Sequence, residues 1–284
     1  MPHYFHHKDR GILEIKGPDA FDFLQGLITN DMVALNQETC LYAALLTPQG
    51  KLLFDFFIYQ HNEDINDTVY YLDCLKAQLD DLTKRLMMYR LRSKVDITDK
   101  TDELLVVSRR KAIEGTLCGG KDPRDTDLGW RGIIDRAAAK DLPKSDLHIY
   151  NIERIKAAAP NGVVDMGDGK TLILEGNFDH LNGVSFQKGC YVGQENTARM
   201  HHRNKINRRL VAVEFMGKTP EPGTQLFADG IKIGEMRSSC ENWGLAHLKM
   251  DNIQNRMTIT SSDDAMGILT LTDWQMKLTQ ASSE

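Results

Sequence analysis

The order of elements along the chain predicts an α+β fold of ferredoxin-like type followed by a small C-terminal β-barrel. Three observations carry that prediction. An apolar strand pattern at residues 11–16 gives way to a helix and then to two apolar runs joined by the turn Thr47-Pro48-Gln49-Gly50. Leu75, Leu79, Leu82, Leu86 and Tyr89 recur at steps of three and four, the spacing of one helix face. From about residue 206 onward the chain reads as short strands separated by Gly and Asn.

Each element has a local reason. Gly11-Ile12-Leu13-Glu14-Ile15-Lys16 is a strand, and Gly17-Pro18 sets up a helix through Phe21, Leu24 and Ile28. That helix ends near Thr29-Asn30-Asp31, residues suited to a turn or a ligand-facing loop. Residues 41–46 and 52–59 form the hairpin, 68–73 a further strand, and 94–97 and 104–107 short strands after the Leu75–Tyr89 helix. Gly119-Gly120-Lys121-Asp122-Pro123 is expected to be a loop. A helix covers 145–158, with Ser145 as N-cap and Pro160 as a stop. Strands at 210–215, 225–228, 231–236, 243–248 and 257–260 then make the barrel or sandwich.

With 284 residues the chain is long enough for two or three subdomains. Its 41% hydrophobic and 26% charged residues are those of a soluble globular protein. The N-terminus lacks an apolar signal segment and no run reaches membrane length, so the expected location is the cytoplasm or another reducing compartment, with no membrane partner. Cys40, Cys74, Cys118, Cys190 and Cys240 are odd in number and lack a Cys-x-x-Cys pair, which argues against a disulfide framework or a resident metal site. His3, His6 and His7 have the residue type of a metal-binding cluster, but near a terminus they read rather as a disordered or weakly packed tail.

The formal net charge is −5, yet the stretch from Lys188 to Arg209 holds six cations (Lys188, Arg199, Arg203, Lys205, Arg208, Arg209) and one acid, Glu195. Such an island suits an anionic partner or a solvated connector. The densest chemistry lies at Gln187-Lys188-Gly189-Cys190-Tyr191-Val192-Gly193-Gln194-Glu195. A thiol is flanked there by a cation that favours its thiolate, by two glycines that let the backbone bend, and by a short helix opening at Gln194 whose free N–H groups favour an anion. The same cysteine also suits a small buried hydrophobe in a turn. Asp55 interrupts an apolar strand and needs a partner, water, or a cavity in which burial raises its pKa. Glu175 closes another apolar run with the same alternatives.

The Lys188–Glu195 segment resembles the Lys-Gly-Cys-Tyr-x-Gly-Gln-Glu signature of the YgfZ family, folate-binding relatives of the glycine-cleavage aminomethyltransferase that include a mitochondrial iron–sulfur assembly factor. Residues 23–31, 45–51, 89–95 and 198–203 resemble further blocks of that family in the same order. The resemblance implies GcvT-type folate-binding subdomains in a ring over residues 1–205, interleaved as two α+β parts, with the barrel at 206–284. It implies tetrahydrofolate or a one-carbon derivative as cofactor, Cys190 and Asp55 as catalytic residues, and iron–sulfur assembly or client proteins as partners. Folate contacts would come from Asn30, Asp55, Glu175, Lys188, Gly189, Tyr191, Gly193, Gln194, Glu195 and Arg199. The implied function is assembly or repair of iron–sulfur clusters, with aminomethyl transfer and tRNA binding at Arg199, Arg203, Lys205, Arg208 and Arg209 as alternatives. Phe54-Asp55 stands where aminomethyltransferases carry paired acids, a departure that weakens the transfer reading.

Overall fold

The computed structural model describes residues 4–64, 67–203, 206–251 and 253–281. The chain forms two compact units, one of Met1–Gln49, Leu53–Leu147 and Leu181–Gln194, the other of Gly50–Leu52, His148–His180 and Glu195–Glu284.

In the first unit, β1 (Phe5–His7) precedes β2 (Arg10–Lys16), α1 (Ala20–Leu27), β3 (Cys40–Leu46), β4 (Leu52–Asp64, less its first residue), β5 (Asp67–Leu75), α2 (Leu79–Arg90) and β6 (Asp96–Asp99). These strands, β1 excepted, form one sheet in the order β3-β4-β5-β2-β6, with β2 antiparallel to both β5 and β6. That is the split βαβ arrangement of a ferredoxin-like fold with β3 added at one edge. One face is apolar because Leu13, Ile15, Phe56, Ile58 and Leu72 project from it on alternate positions and meet Leu24 of α1 and Leu82 and Leu86 of α2.

The opposite face is covered by a second sheet, β1-β7-β9-β8, built from β7 (Leu104–Arg109), β8 (Cys118–Lys121) and β9 (Trp130–Asp135). Strand β8 corrects the loop expected at Gly119-Gly120. The glycines are there for close approach: a Cβ on Gly120 would stand 2.7 Å from the Cα of Thr39, and one on Gly119 would stand 2.9 Å from the Arg131 carbonyl oxygen. His6 and His7 are likewise in β1 and not in a loose tail, His7 being buried; His3 lies outside the described residues.

The second unit holds all of α3 (Leu147–Lys156) and of α5 (Gln194–His202) except the first residue of each, α4 (Gly162–Met166), and the strands β10 (Arg208–Phe215), β11 (Gln225–Ala228), β12 (Ile231–Cys240), β13 (Trp243–Lys249), β14 (Thr258–Ser261) and β15 (Met266–Thr270), followed by α6 (Asp273–Ala281). The six strands close as a barrel in the order β10-β13-β12-β11-β14-β15, and β15 pairs back onto β10. Val211, Val213, Leu226, Met236, Leu248, Ile259 and Leu269 fill it. Closure removes the exposed strand edges that six short strands would otherwise present. Residue 206 stands just ahead of the barrel, but the compact unit containing it also takes in His148–His180. Among the described residues no helix is long and apolar enough to cross a membrane.

Candidate functional site

The segment around Cys190 is built on the carboxyl end of α1. That helix stops at Leu27, and Ile28, its C-cap, is extended, which leaves carbonyl oxygens without helical donors. The ammonium of Lys188 supplies them, donating to the carbonyls of Gln25 at 2.7 Å, Ile28 at 2.8 Å and Asn30 at 2.8 Å. A cation at a helix carboxyl end also meets the negative end of its dipole. Burial pulls the Lys188 pKa down to about 8, with Asp31 opposing, and the ring of Tyr191 lies 5.3 Å beneath the ammonium.

Thr29-Asn30 is stitched to the stretch leading into the cysteine. Thr29 Oγ1 donates to the Gly183 carbonyl at 2.7 Å, and Ser185 N–H to the Thr29 carbonyl at 3.0 Å. The Asn30 side-chain amide donates to the carbonyls of Asn182 at 2.7 Å and Tyr42 at 2.8 Å, while its oxygen accepts from Asp31 N–H at 2.9 Å. The side chains of Thr29 and Asn30 are therefore engaged with protein. Asn30, expected to contact folate, has its amide occupied in holding the loop. Lys188, expected to contact folate and to favour the thiolate, has all three N–H bonds directed at carbonyls and so anchors the segment.

Cys190 itself is exposed, whereas Cys40, Cys74 and Cys118 are buried and Cys240 is half-buried. After it, Tyr191 turns inward and Val192 packs against the core beneath α1 and α2. Gly193 has φ 84°, a conformation that favours glycine, and Gln194 opens α5 while its side-chain oxygen accepts from Tyr191 N–H at 3.3 Å. Gly189 differs from Gly193. Its φ is ordinary and a Cβ there would meet nothing within 4 Å among the described residues, so neither backbone nor described packing requires glycine beside the thiol. Glu195 is exposed in the first turn of α5.

Asp55 lies on β4 and is buried against the second sheet. One carboxylate oxygen accepts from the Tyr42 hydroxyl at 3.1 Å, and the other, also buried, has no hydrogen-bond partner among the described residues. Desolvation raises its pKa, opposed by Arg10, the Tyr42 hydrogen bond and Arg124. Tyr42 thus touches both parts of the site, with its hydroxyl on Asp55 and its carbonyl on Asn30.

Around Asp55 is a polar layer that the sequence reading did not single out. Asp73 accepts from Arg10 Nε at 2.6 Å and from Arg131 Nε at 2.7 Å. Arg124 pairs bidentately with Asp122 at 3.0 and 2.8 Å, and the Arg124 and Arg131 guanidiniums lie 4.6 and 4.4 Å from the Phe57 ring centre. His7 Nε2 is 2.7 Å from Ser108 Oγ, and its pKa is pulled well below the ordinary value by burial and by Arg131, Arg10 and Arg124. The available signal was weak: isolated charges inside apolar strands, such as Asp73 after Tyr70-Tyr71-Leu72.

The remaining expected residues belong to the second unit. Glu175 lies in a short 3-10 turn, Ile173–Gly176, with its carboxylate 3.5 Å from His247 Nε2. Arg199 is exposed and bonds Asn196 at 3.0 Å, Arg203 is exposed, and Arg208 is half-buried at the start of β10. Arg209 is corrected from an RNA contact to an internal clamp: it is buried, grips Asp179 at 2.8 Å through two nitrogens, and donates to the Leu174 carbonyl at 3.0 Å. Lys205 lies outside the described residues. With Lys188 and Arg209 engaged internally, the basic island presents fewer charges to solvent than its composition suggests.

Comparison with known proteins agrees with this architecture. The family described as GCVT N-terminal domain matches residues 5–108, and the family described as CAF17, C-terminal beta-barrel domain, matches residues 207–277. The solved aminomethyltransferase T of the glycine cleavage system from Bartonella henselae superposes with a TM-score of 0.72 over 96% of this chain and 86% of that one, at 13% identity, a likeness of fold. The mitochondrial iron–sulfur cluster assembly factor IBA57 of Mus musculus is 32% identical and that of Homo sapiens 33% identical, each alignment covering 93% of this chain and 83% of the relative. A homolog from Mycosarcoma maydis is 33% identical over 76% of this chain and 58% of its own length. These relatives are named as mitochondrial, which overturns the cytoplasmic placement read from the N-terminal residues. The physical reason is that a folded domain made for one reducing compartment has the same surface chemistry as one made for another. Built on the fold shared with aminomethyltransferases and closed by a CAF17-type barrel, the chain belongs to the family of the iron–sulfur cluster assembly factor IBA57.

Proposed function

We propose that this protein acts in the assembly or repair of iron–sulfur clusters in client enzymes, presenting Cys190 as the group that meets the cluster or its carrier. The observation that carries the reading is the exposed thiol on a segment otherwise tied down on both sides, by Lys188 before it and by Tyr191, Val192 and Gln194 after it. A thiolate is a soft ligand suited to iron, and a fixed backbone holds it ready for exchange with a ligand of the cargo cluster. The names of the relatives, iron–sulfur cluster assembly factors, support the same role. The test is Cys190→Ala in cells lacking the chain, with the activities of cluster-containing enzymes as readout. Loss of support with the fold preserved is expected, and full restoration by the variant would overturn the role.

The Lys-Gly-Cys-Tyr-x-Gly-Gln-Glu motif, in its YgfZ form, supports a reduced folate as the small-molecule partner. The residue that fits such a ligand is Asp55, whose unpartnered buried oxygen matches an N–H on the edge of a pterin ring. When bound, tetrahydrofolate would supply a nitrogen able to carry one-carbon groups. Asp55 would hold the ring edge and Tyr42 would hold Asp55. Titration calorimetry with tetrahydrofolate tests this: Asp55→Asn is expected to weaken binding, and unchanged affinity removes Asp55 from the site.

A further inference from the structure

We infer that Lys188 is the positioning residue for Cys190: by anchoring the cysteine segment to the carboxyl end of α1 it fixes where the thiol stands, and this requires the side chain in its protonated, charged form. The inference rests on the function proposed above, since it concerns the same thiol. It is carried by geometry. Three carbonyls, of Gln25, Ile28 and Asn30, converge on one ammonium at 2.7, 2.8 and 2.8 Å, and the side chain is 7% exposed. Three converging acceptors need three donated hydrogens, which an ammonium has and a neutral amine lacks. The surrounding contacts agree: Thr29 and Asn30 bind the carbonyls of Gly183 and Asn182, so the segment before Lys188 is already aligned along the same helix end. Two residues beyond the anchor, Cys190 is exposed.

A neutral side chain of similar length leaves three carbonyls without this donor and the segment from 185 to 193 without its tether. An arginine keeps the charge and several donors, although its planar fork fits three converging oxygens less well. Lys188→Met and Lys188→Arg therefore separate charge from bulk.

The experiment uses the full chain with Cys240→Ser, which leaves Cys190 as the only cysteine that is not buried among the described residues, and a nitroxide attached to Cys190. Lys188→Met is expected to narrow the nitroxide spectrum and to speed amide exchange across 185–193 by roughly tenfold or more, while barrel amides keep their protection. Lys188→Arg is expected to restore a spectrum close to that of Lys188. Native spectrum and native exchange in Lys188→Met overturn the inference, and so does a Lys188→Arg variant as mobile as Lys188→Met. If instead Lys188→Met unfolds the unit, exchange will rise across β2–β5 as well, and the arginine rescue decides alone. Cys190→Ala assays of cluster enzymes test the proposed function independently, so that reading can fail while the positioning stands, and the reverse.

Discussion

The ammonium of Lys188 lies 2.8 Å from the carbonyl oxygen of Ile28, a residue 160 positions earlier in the chain. Two stretches that look like separate motifs, Phe23–Asp31 and Lys188–Glu195, are therefore one structure: the first is the seat and the second carries the thiol. Tyr42 extends the connection, because its carbonyl holds Asn30 and its hydroxyl holds Asp55.

The two glycines beside the thiol should respond oppositely to alanine. Gly193→Ala forces a Cβ into φ 84° and is expected to cost about 1–2 kcal/mol in denaturant unfolding. Gly189→Ala meets no atom within 4 Å and is expected to be neutral or to stabilise by about 0.4–1 kcal/mol through the unfolded chain. If Gly189→Ala nevertheless impairs support of cluster enzymes, the space beside Cys190 serves an incoming partner. Full support would show that the glycine has no such role.

Asp73 and Asp55 lie in the same polar layer and should also differ. Burial raises the Asp73 pKa, but Arg10 and Arg131 together outweigh it, so the carboxyl sits below its usual range and is ionised. Asp73→Asn leaves two buried guanidiniums without their shared anion and is expected to cost about 3–5 kcal/mol. For Asp55 desolvation wins, so the native state holds the proton more firmly than the unfolded chain does. Stability then falls as pH rises from the ordinary carboxylate value through the raised one, and the penalty is complete above it. Asp55→Asn removes that penalty and should be more stable than the parent at pH 7, with the advantage vanishing below about pH 4, where an unfolded aspartate is protonated too. Urea midpoints at the two pH values check both; a destabilised Asp55→Asn at pH 7 would contradict the assignment.

His7 gives a second pH dependence of opposite sense. Its native pKa lies well below the ordinary value, so below pH 6.5 the unfolded chain takes up a proton that the native state refuses. Stability should decline there by up to about 1.4 kcal/mol per pH unit for this one group. His7→Gln, which keeps a polar atom for Ser108, is expected to flatten the slope between pH 6.5 and 5, and an unchanged slope would assign the acid sensitivity elsewhere.

Arg209 tests the reading of the basic island. Arg209→Met strands the buried Asp179 carboxylate and is expected to lower stability by about 3–5 kcal/mol, with little effect on any RNA affinity once the protein is folded. Arg199→Glu with Arg203→Glu should do the reverse, leaving stability nearly unchanged. Filter binding with bulk tRNA at two salt concentrations, alongside thermal melts, distinguishes the two cases.

Much of the architecture was legible in the sequence because period and punctuation agreed. Leu79, Leu82 and Leu86 marked the buried face of α2, and the turn at Thr47–Gly50 marked the hairpin. Strands β8 and β9 were not legible, since Gly119, Gly120 and Gly132 resemble turn residues until the backbones they admit are in place. The cysteine motif stood out by composition alone. Its seat did not, because nothing local in Gln25, Ile28 and Asn30 indicates that their carbonyls await a lysine. The pairing of Arg209 with Asp179 was missed for the same reason: an ion pair joining residues 30 positions apart has no period.

The anchoring of residue 188 to residues 25, 28 and 30 also bears on how the protein is made. Joining such distant stretches is entropically slow and cannot begin until most of the chain has left the ribosome. The hypothesis that follows is a timetable: β2, α1 and β5 take shape first, and the Cys190 sulfur acquires its fixed setting only near the end. A half-finished molecule would then carry a thiol without a scaffold to aim it. Pulse-labelled refolding should show amides 185–193 protected after those of β2, and simultaneous protection would rule this out.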